Sequence, residues 1–414
     1  MVAAKIIRMI SLEWLSKRGV TAPQGFRAGS ARGGIKTEGD DVALLLAPEN
    51  STCAAVFTTN QVKAAPVYVS AEHLAKGRAR AVVVNAGNAN CCTGARGLEN
   101  ARQMANLAAQ KLEIPAEEVL VCSTGIIGHQ LPMETVESAL GEMELGRNDE
   151  AVARAFMTTD TVPKFCAASM EIGGKKVTVG GQAKGVGMIG PHMAPLNAAG
   201  LHATMLSFLT TDAQIERPLL QKLLERAVSR SFNSVTVDGD TSTNDTAILL
   251  ASGQSSAVIT EGNAALFSVL LEAVCVELTK KIARDGEGAT KLIEITISGA
   301  QREEQARKIA LTIANSPLVK TAIFGKDPNW GRIAMAAGRA GVAFDAQKLS
   351  FSLGPIELFR AGEPVDFDLQ AAEAVLEEEN VFITLDLGDG SASWKAWTCD
   401  FSYDYVKINA EYHT

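Results

Sequence analysis

Three short stretches of the chain carry hydroxyls, a lysine and backbone amides in combinations that suit acyl transfer. "CSTGIIG" (122–128) sets the Thr124 hydroxyl beside the Gly125 amide, a pair that can donate two hydrogen bonds to one developing oxyanion. "AKGVGMIGPHMA" (183–194) holds Lys184 in a glycine-rich loop. "GLHATMLSFLTTDA" (200–213) places Thr204 behind the small residue Ala203 and ahead of an apolar run. A threonine so placed is ordinarily a core or capping residue. As a nucleophile it would need the chain to break before it, because the new N-terminal amine would then serve as its general base. Local features alone favour the ordinary reading.

Other motifs fail on chemical grounds. "GVGMIG" (185–190) satisfies G-x-G-x-x-G after the strand-like "KKVTVGG", but Pro191 follows at once and no helix start is in sight. A dinucleotide pocket needs a helix N-terminus there for the pyrophosphate. Asp238, Asp240 and Asp245 in "DGDTSTND" have metal-like spacing but lack the terminal bidentate acid of a calcium loop, so they are read as a turn that organises a site. "KDPNWGR" (326–332) lacks the P-loop glycine pattern. The five histidines are scattered, and the seven cysteines form no CxxC, which suits a reducing compartment.

The elements that must position these residues alternate along 414 residues, 47 % of them apolar and 21 % charged. "RAVVVNAG" (80–87), "KKVTVGG" (175–181) and "LIEITISG" (292–299) read as strands. Residues 98–112, 216–232, 264–286 and 303–316 have helical period. Past about residue 345 the chain reads as strand-rich to its end, with "GDG" (388–390) as a hairpin turn. A net charge of −8 argues against nucleic acid or an anionic membrane as main partner. No apolar run approaches the roughly 20 residues of a bilayer span, and the start matches no secretory signal, so a cytoplasmic protein is expected.

Eight segments in order then carry a resemblance: "STGIIG", "MTTDTVPK", "KGVGMIG", "ATMLSFLTTDA", "TVDGDTSTNDT", "RDGEGATK", "FGKDPNWGRI" and "YDYVKINAEYHT". With "GFRAGSARGGIK" (25–36) ahead of them, they resemble the ornithine acetyltransferase / glutamate N-acetyltransferase family over nearly the whole chain. The resemblance implies a four-layer αββα sandwich of mixed sheets with a smaller α+β C-terminal domain. The division would be an N-terminal extension (1–22), a catalytic domain (23–290) and a C-terminal domain (291–414) whose last residues reach the site. It implies self-cleavage between Ala203 and Thr204, and pairing of two first fragments with two second fragments. Acetyl would pass from acetylornithine to Thr204 and then to glutamate, with Thr124 and Gly125 as oxyanion hole. Thr158, Lys184, Thr204, Glu287, Asn409 and Thr414 would contact substrate, with Thr159 or Thr161 as alternatives to Thr158. No cofactor or metal is implied, and acetyl-CoA as a further donor is left open.

One departure stands out. The family's lysine and nucleophile are joined by a segment resembling "KGSGMIAPNMATML", whereas here nine residues, "APLNAAGLH" (194–202), intervene before "ATML". The second "HMA" ending is followed by Pro195, which has no hydroxyl, so cleavage still points to Thr204. Two other outcomes stay open: an N-terminal-nucleophile amidase or aminopeptidase that passes the acyl group to water, and an unprocessed, inactive homologue.

Overall fold

The computed structural model describes residues 12–195 and 205–411. Ala203, Thr204, Thr414 and most of the nine-residue insertion therefore lie outside the described residues.

Seven strands form one mixed sheet in the order Glu13–Trp14, Lys164–Ile172, Lys175–Lys184, Leu206–Thr211, Thr246–Ala251, Thr52–Thr58, Met193–Ala194. Leu206–Thr211 runs parallel to Thr246–Ala251 and antiparallel to Lys175–Lys184. A second mixed sheet contains Arg27–Ala31, Val42–Leu46, Ala81–Asn88 and Val119–Ile126, the last two parallel. The two sheets pack face to face through Leu45, Val82, Leu120, Phe57, Phe208 and Ile248. Leu44, Val83 and Val121 point the opposite way, into the helices Ala65–Ala75, Gly94–Leu112 and Met133–Glu142. Beyond the larger sheet, Leu209 and Leu249 meet the helices Arg217–Ser229 and Ala264–Arg284. The result is the αββα sandwich expected. Strands covered on both faces explain why "VALLL" and "AVVV" read as continuous apolar runs rather than alternating ones.

A third sheet of six strands takes the order Glu363–Pro364, Ile356–Arg360, Ser350–Leu353, Asn380–Asp386, Leu292–Ala300, Ala392–Cys399. Two expectations fail here. The strands on either side of "GDG" are not a hairpin: Leu292–Ala300 inserts between them, parallel to Asn380–Asp386 and antiparallel to Ala392–Cys399. Its Ile293, Ile295 and Ile297 are fully buried, and a strand so covered needs a partner on each edge. The chain end is not strand either. Tyr403–Glu411 is a helix whose second residue is held by the Ser402 hydroxyl accepting from the Asp404 amide (3.2 Å). Tyr403 and Val406, which suggest a strand by type, are 84 % and 65 % exposed on it, so no neighbouring strand enforces their β preference.

The sandwich makes one stability prediction. Leu249→Ala opens a cavity on the helix-covered face of the larger sheet and should cost about 2–5 kcal/mol in urea denaturation. Phe382→Ala, at a half-exposed strand position, should cost about 1 kcal/mol or less.

Candidate active site

Strand register delivers the first functional group. Leu206 pairs with Lys184 on one side and with Thr246 on the other, so the chain resuming at Met205 enters the sheet beside Lys184. The Met205 amide donates to the Asp245 carboxylate, while the Asp245 carbonyl accepts from the Thr58 amide (2.8 Å). Burial pushes the Asp245 carboxyl well above the ordinary carboxylate range. Nearby, the Asn244 amide donates to the carbonyls of Ala89 (2.6 Å) and Ser123 (2.8 Å), tying the "TSTND" turn to the smaller sheet.

Thr124 and Gly125 lie near the end of the Val119–Ile126 strand. Gly125 has φ +130°, and a Cβ there would stand 2.3 Å from the carbonyl carbon of Gly87, so only glycine allows the parallel neighbour this close. Lys184, 3 % exposed, reaches across to this strand. Its Nζ donates to Thr158 Oγ1 (2.8 Å) and to Thr124 Oγ1 (3.3 Å). A Thr124 oxygen that accepts from an ammonium keeps its own hydrogen for another acceptor. That is the geometry an oxyanion donor needs.

The three threonines of "MTTDT" part company. Thr158 accepts from Lys184, Thr159 donates to Glu287 Oε1 (2.9 Å), and Thr161 bonds the Asp285 carboxylate through its hydroxyl and amide. Asn409 donates to Glu287 Oε2 (3.0 Å), which brings the C-terminal helix to the same carboxylate. Gly187 makes room for it: a Cβ at Gly187 would lie 2.4 Å from Glu287 Oε2. The second glycine of "GVGMIG" thus serves a carboxylate rather than a pyrophosphate.

Thr124, Gly125, Thr158, Lys184, Glu287 and Asn409 all line one cavity of ≈ 470 Å³, within the range of small-ligand pockets. Thr159, Asp238, Asp240 and Tyr405 share its wall, and none of these four was singled out as a contact residue of first choice. Asp238 accepts from the amides of Met188 (2.6 Å) and Ile189 (2.8 Å), so it shapes the glycine-rich loop. Burial raises its carboxyl to about 6 despite those bonds. Under this wall lies a buried ion cluster of Asp160, Lys164 and Asp285. Burial opposes the charge on Asp160, but Lys184 and Lys164 beside it outweigh burial and hold its carboxyl down at about 2. Burial in turn lowers Lys184 from its usual range, with Asp160 acting against it. Among the described residues, no group of three or more histidine, cysteine or acidic side chains could hold a metal ion, and no helix is long and apolar enough to cross a membrane.

Sandwich and cavity together mark an enzyme of the mixed α/β class. Comparison with known proteins narrows this to one family. The model of the ArgJ family matches residues 27–414. The chain is similar to arginine biosynthesis bifunctional protein ArgJ of Gloeobacter violaceus, 48 % identical over 98 % of this chain and 100 % of that protein. Its counterpart in Listeria monocytogenes is 45 % identical over 97 % of this chain and 100 % of that one. A crystal structure of arginine biosynthesis bifunctional protein ArgJ from Bacillus halodurans is 46 % identical and covers 50 % of this chain and all of that one, with TM-score 0.50. The chain belongs to the ArgJ family.

Asp238 generates a prediction with a definite sign. Its folded carboxyl sits at about 6 against an ordinary 3.8, so the stability it contributes is full at low pH and is lost as pH rises through about 6. In urea denaturation, Asp238→Asn should therefore gain on the wild type as pH goes from about 4 to about 7. A constant difference across that window would contradict the assignment.

Proposed function

We propose that this protein moves the acetyl group of N-acetylornithine to glutamate in arginine biosynthesis, through an acetyl ester on Thr204. The observation that carries this reading is the cavity itself. It gathers Lys184, the Thr124–Gly125 pair, Thr158 and Glu287 beside the strand that begins two residues after Thr204.

The mechanism follows from those groups. The Thr204 hydroxyl adds to the carbonyl of Ala203, an N-to-O acyl shift forms an ester, and water releases it, leaving Thr204 as a new N-terminus. Its α-amine then takes the hydroxyl proton as Thr204 attacks the acetyl carbonyl of the donor. The Thr124 hydroxyl and Gly125 amide receive the oxyanion, and collapse expels the ornithine amine with that proton. The amine of glutamate attacks the acetyl ester in the same way and regenerates Thr204. Lys184 supplies a cation for a substrate carboxylate, and Glu287 an anion for the distal ammonium of ornithine. Asn409 and Thr159 fix the two oxygens of Glu287. The family resemblance assigns Thr414 to substrate contact. No cofactor enters these steps. We assign the protein to the cytoplasm and to an assembly of two N-terminal and two C-terminal fragments.

Incubating the protein with acetylornithine, with and without glutamate, tests the reaction. Acetylglutamate should form only when glutamate is present; free acetate without acceptor would mark a hydrolase instead. Replacing acetylornithine by acetyl-CoA in the same assay decides whether a second donor is used. Thr204→Ala should leave one intact 43.7 kDa chain by mass and no transfer. Thr124→Val should keep cleavage products and substrate affinity visible while lowering kcat about 100- to 1,000-fold. Gly187→Ala should raise KM for acetylornithine by displacing Glu287, with little change in thermal midpoint.

A further inference from the structure

The ion cluster under the cavity holds one more cation than the proposed chemistry uses. Lys164 is 1 % exposed, and its Nζ donates to Asp160 Oδ1 (2.7 Å), Val162 O (3.3 Å) and Asp285 Oδ2 (2.5 Å). Asp160 is filled on both oxygens. Oδ1 accepts from Lys164 and from the Gly185 amide (2.8 Å), and Oδ2 accepts from the Thr158 amide (3.1 Å). Lys184 stands 3.9 Å from Oδ2, too far for a hydrogen bond, and spends its donors on Thr158 and Thr124 instead.

Two lysines thus face one buried carboxylate, and only one is bound to it. In a site with little water an aspartate that loses its cation takes the next one within reach, because an unpaired buried charge is expensive. Without Lys164, that next cation is Lys184. Drawn onto Asp160, Lys184 would leave Thr124 and Thr158 and withdraw from the cavity.

We propose that Lys164 is a positioning residue: by occupying Asp160 it releases Lys184 to the cavity hydroxyls. It rests on the acetyl-transfer reading above, and the wild-type assay separates the two. A wild type that transfers no acetyl defeats that reading, whereas an active wild type leaves the role of Lys164 to the variants.

The test is a double-variant cycle on the full chain, read as kcat/KM for transfer from acetylornithine to glutamate. Lys164→Met should lower it about 10- to 100-fold, because Asp160 captures Lys184. Lys164→Met with Asp160→Asn removes the competing charge and should restore kcat/KM to within about threefold of wild type, a rescue that a merely structural lysine would not give. The pH profile reads the same contact. Lys184 is faced by Asp160, Asp245 and Glu287 as anions and by Lys164 and Lys36 as cations. Lys164→Met removes a like charge, so the alkaline limb of kcat/KM should move to higher pH. A single variant as active as wild type, or a folded double variant as impaired as the single one, would overturn the proposal. Should the single variant fail to fold, the double variant is read directly against wild type, and a folded but inactive protein overturns it equally.

Discussion

The site depends on one register. Leu206 sits between Lys184 and Thr246 in the middle of the larger sheet, in a strand buried along its whole length. A slip of one residue on either side would turn Leu209 and Leu249 away from the helices and Phe208 and Ile248 away from the second sheet. Core packing on both faces therefore fixes where Lys184 stands relative to the chain entering at Met205. The Met205 amide bonded to Asp245 adds a second anchor at the same point. The smaller sheet is brought to this place by its packing through Leu120 and Cys122, which leaves Thr124 at the strand end facing Lys184.

Charge is the second constraint. Lys164, Lys184 and Asp160 are almost wholly without solvent, and Asp285 nearly so. Such a group of ions is tolerable only when each is paired and its remaining donors or acceptors are bonded. Here the backbone amides of Thr158, Thr161 and Gly185 complete the set. The consequence is positional: loops from three separate parts of the chain meet on two carboxylates, and the substrate-facing Thr158, Lys184 and Glu287 follow from that meeting.

Much of this was legible in the residues, and the failures have physical reasons. The apolar strand runs and the four long helical periods gave a mixed α/β chain, because burial on two faces leaves continuous apolar strands; the layer order came with the resemblance. Thr124, Gly125, Lys184, Glu287 and Asn409 were reachable through residue chemistry together with the resemblance. Lys164, Asp160 and Asp285 were not, although "MTTDTVPK" and "RDGEGATK" were both in view: Asp160 and Lys164 are four residues apart in a segment that is not a helix, and Asp285 joins them from more than 120 residues away. The partition of Thr158, Thr159 and Thr161 among Lys184, Glu287 and Asp285 depends on the same tertiary closure. "GDG" misled because hairpin signals record a turn and not what lies between the strands, and Leu292–Ala300 enters there from far away. The C-terminal helix was missed because Tyr403 and Val406 carry a β preference that an exposed helix face does not enforce.

The central claim is that an acetyl group rests on Thr204 between donor and acceptor. Peptide-resolved mass spectrometry of the protein after brief exposure to acetylornithine without glutamate tests it most directly. The account predicts a fragment beginning at Thr204 that carries one acetyl group as an ester, which disappears when glutamate is added and reappears as acetylglutamate. An active protein whose chain is uncut at Ala203–Thr204, or whose acetyl group is found on another residue, would contradict it.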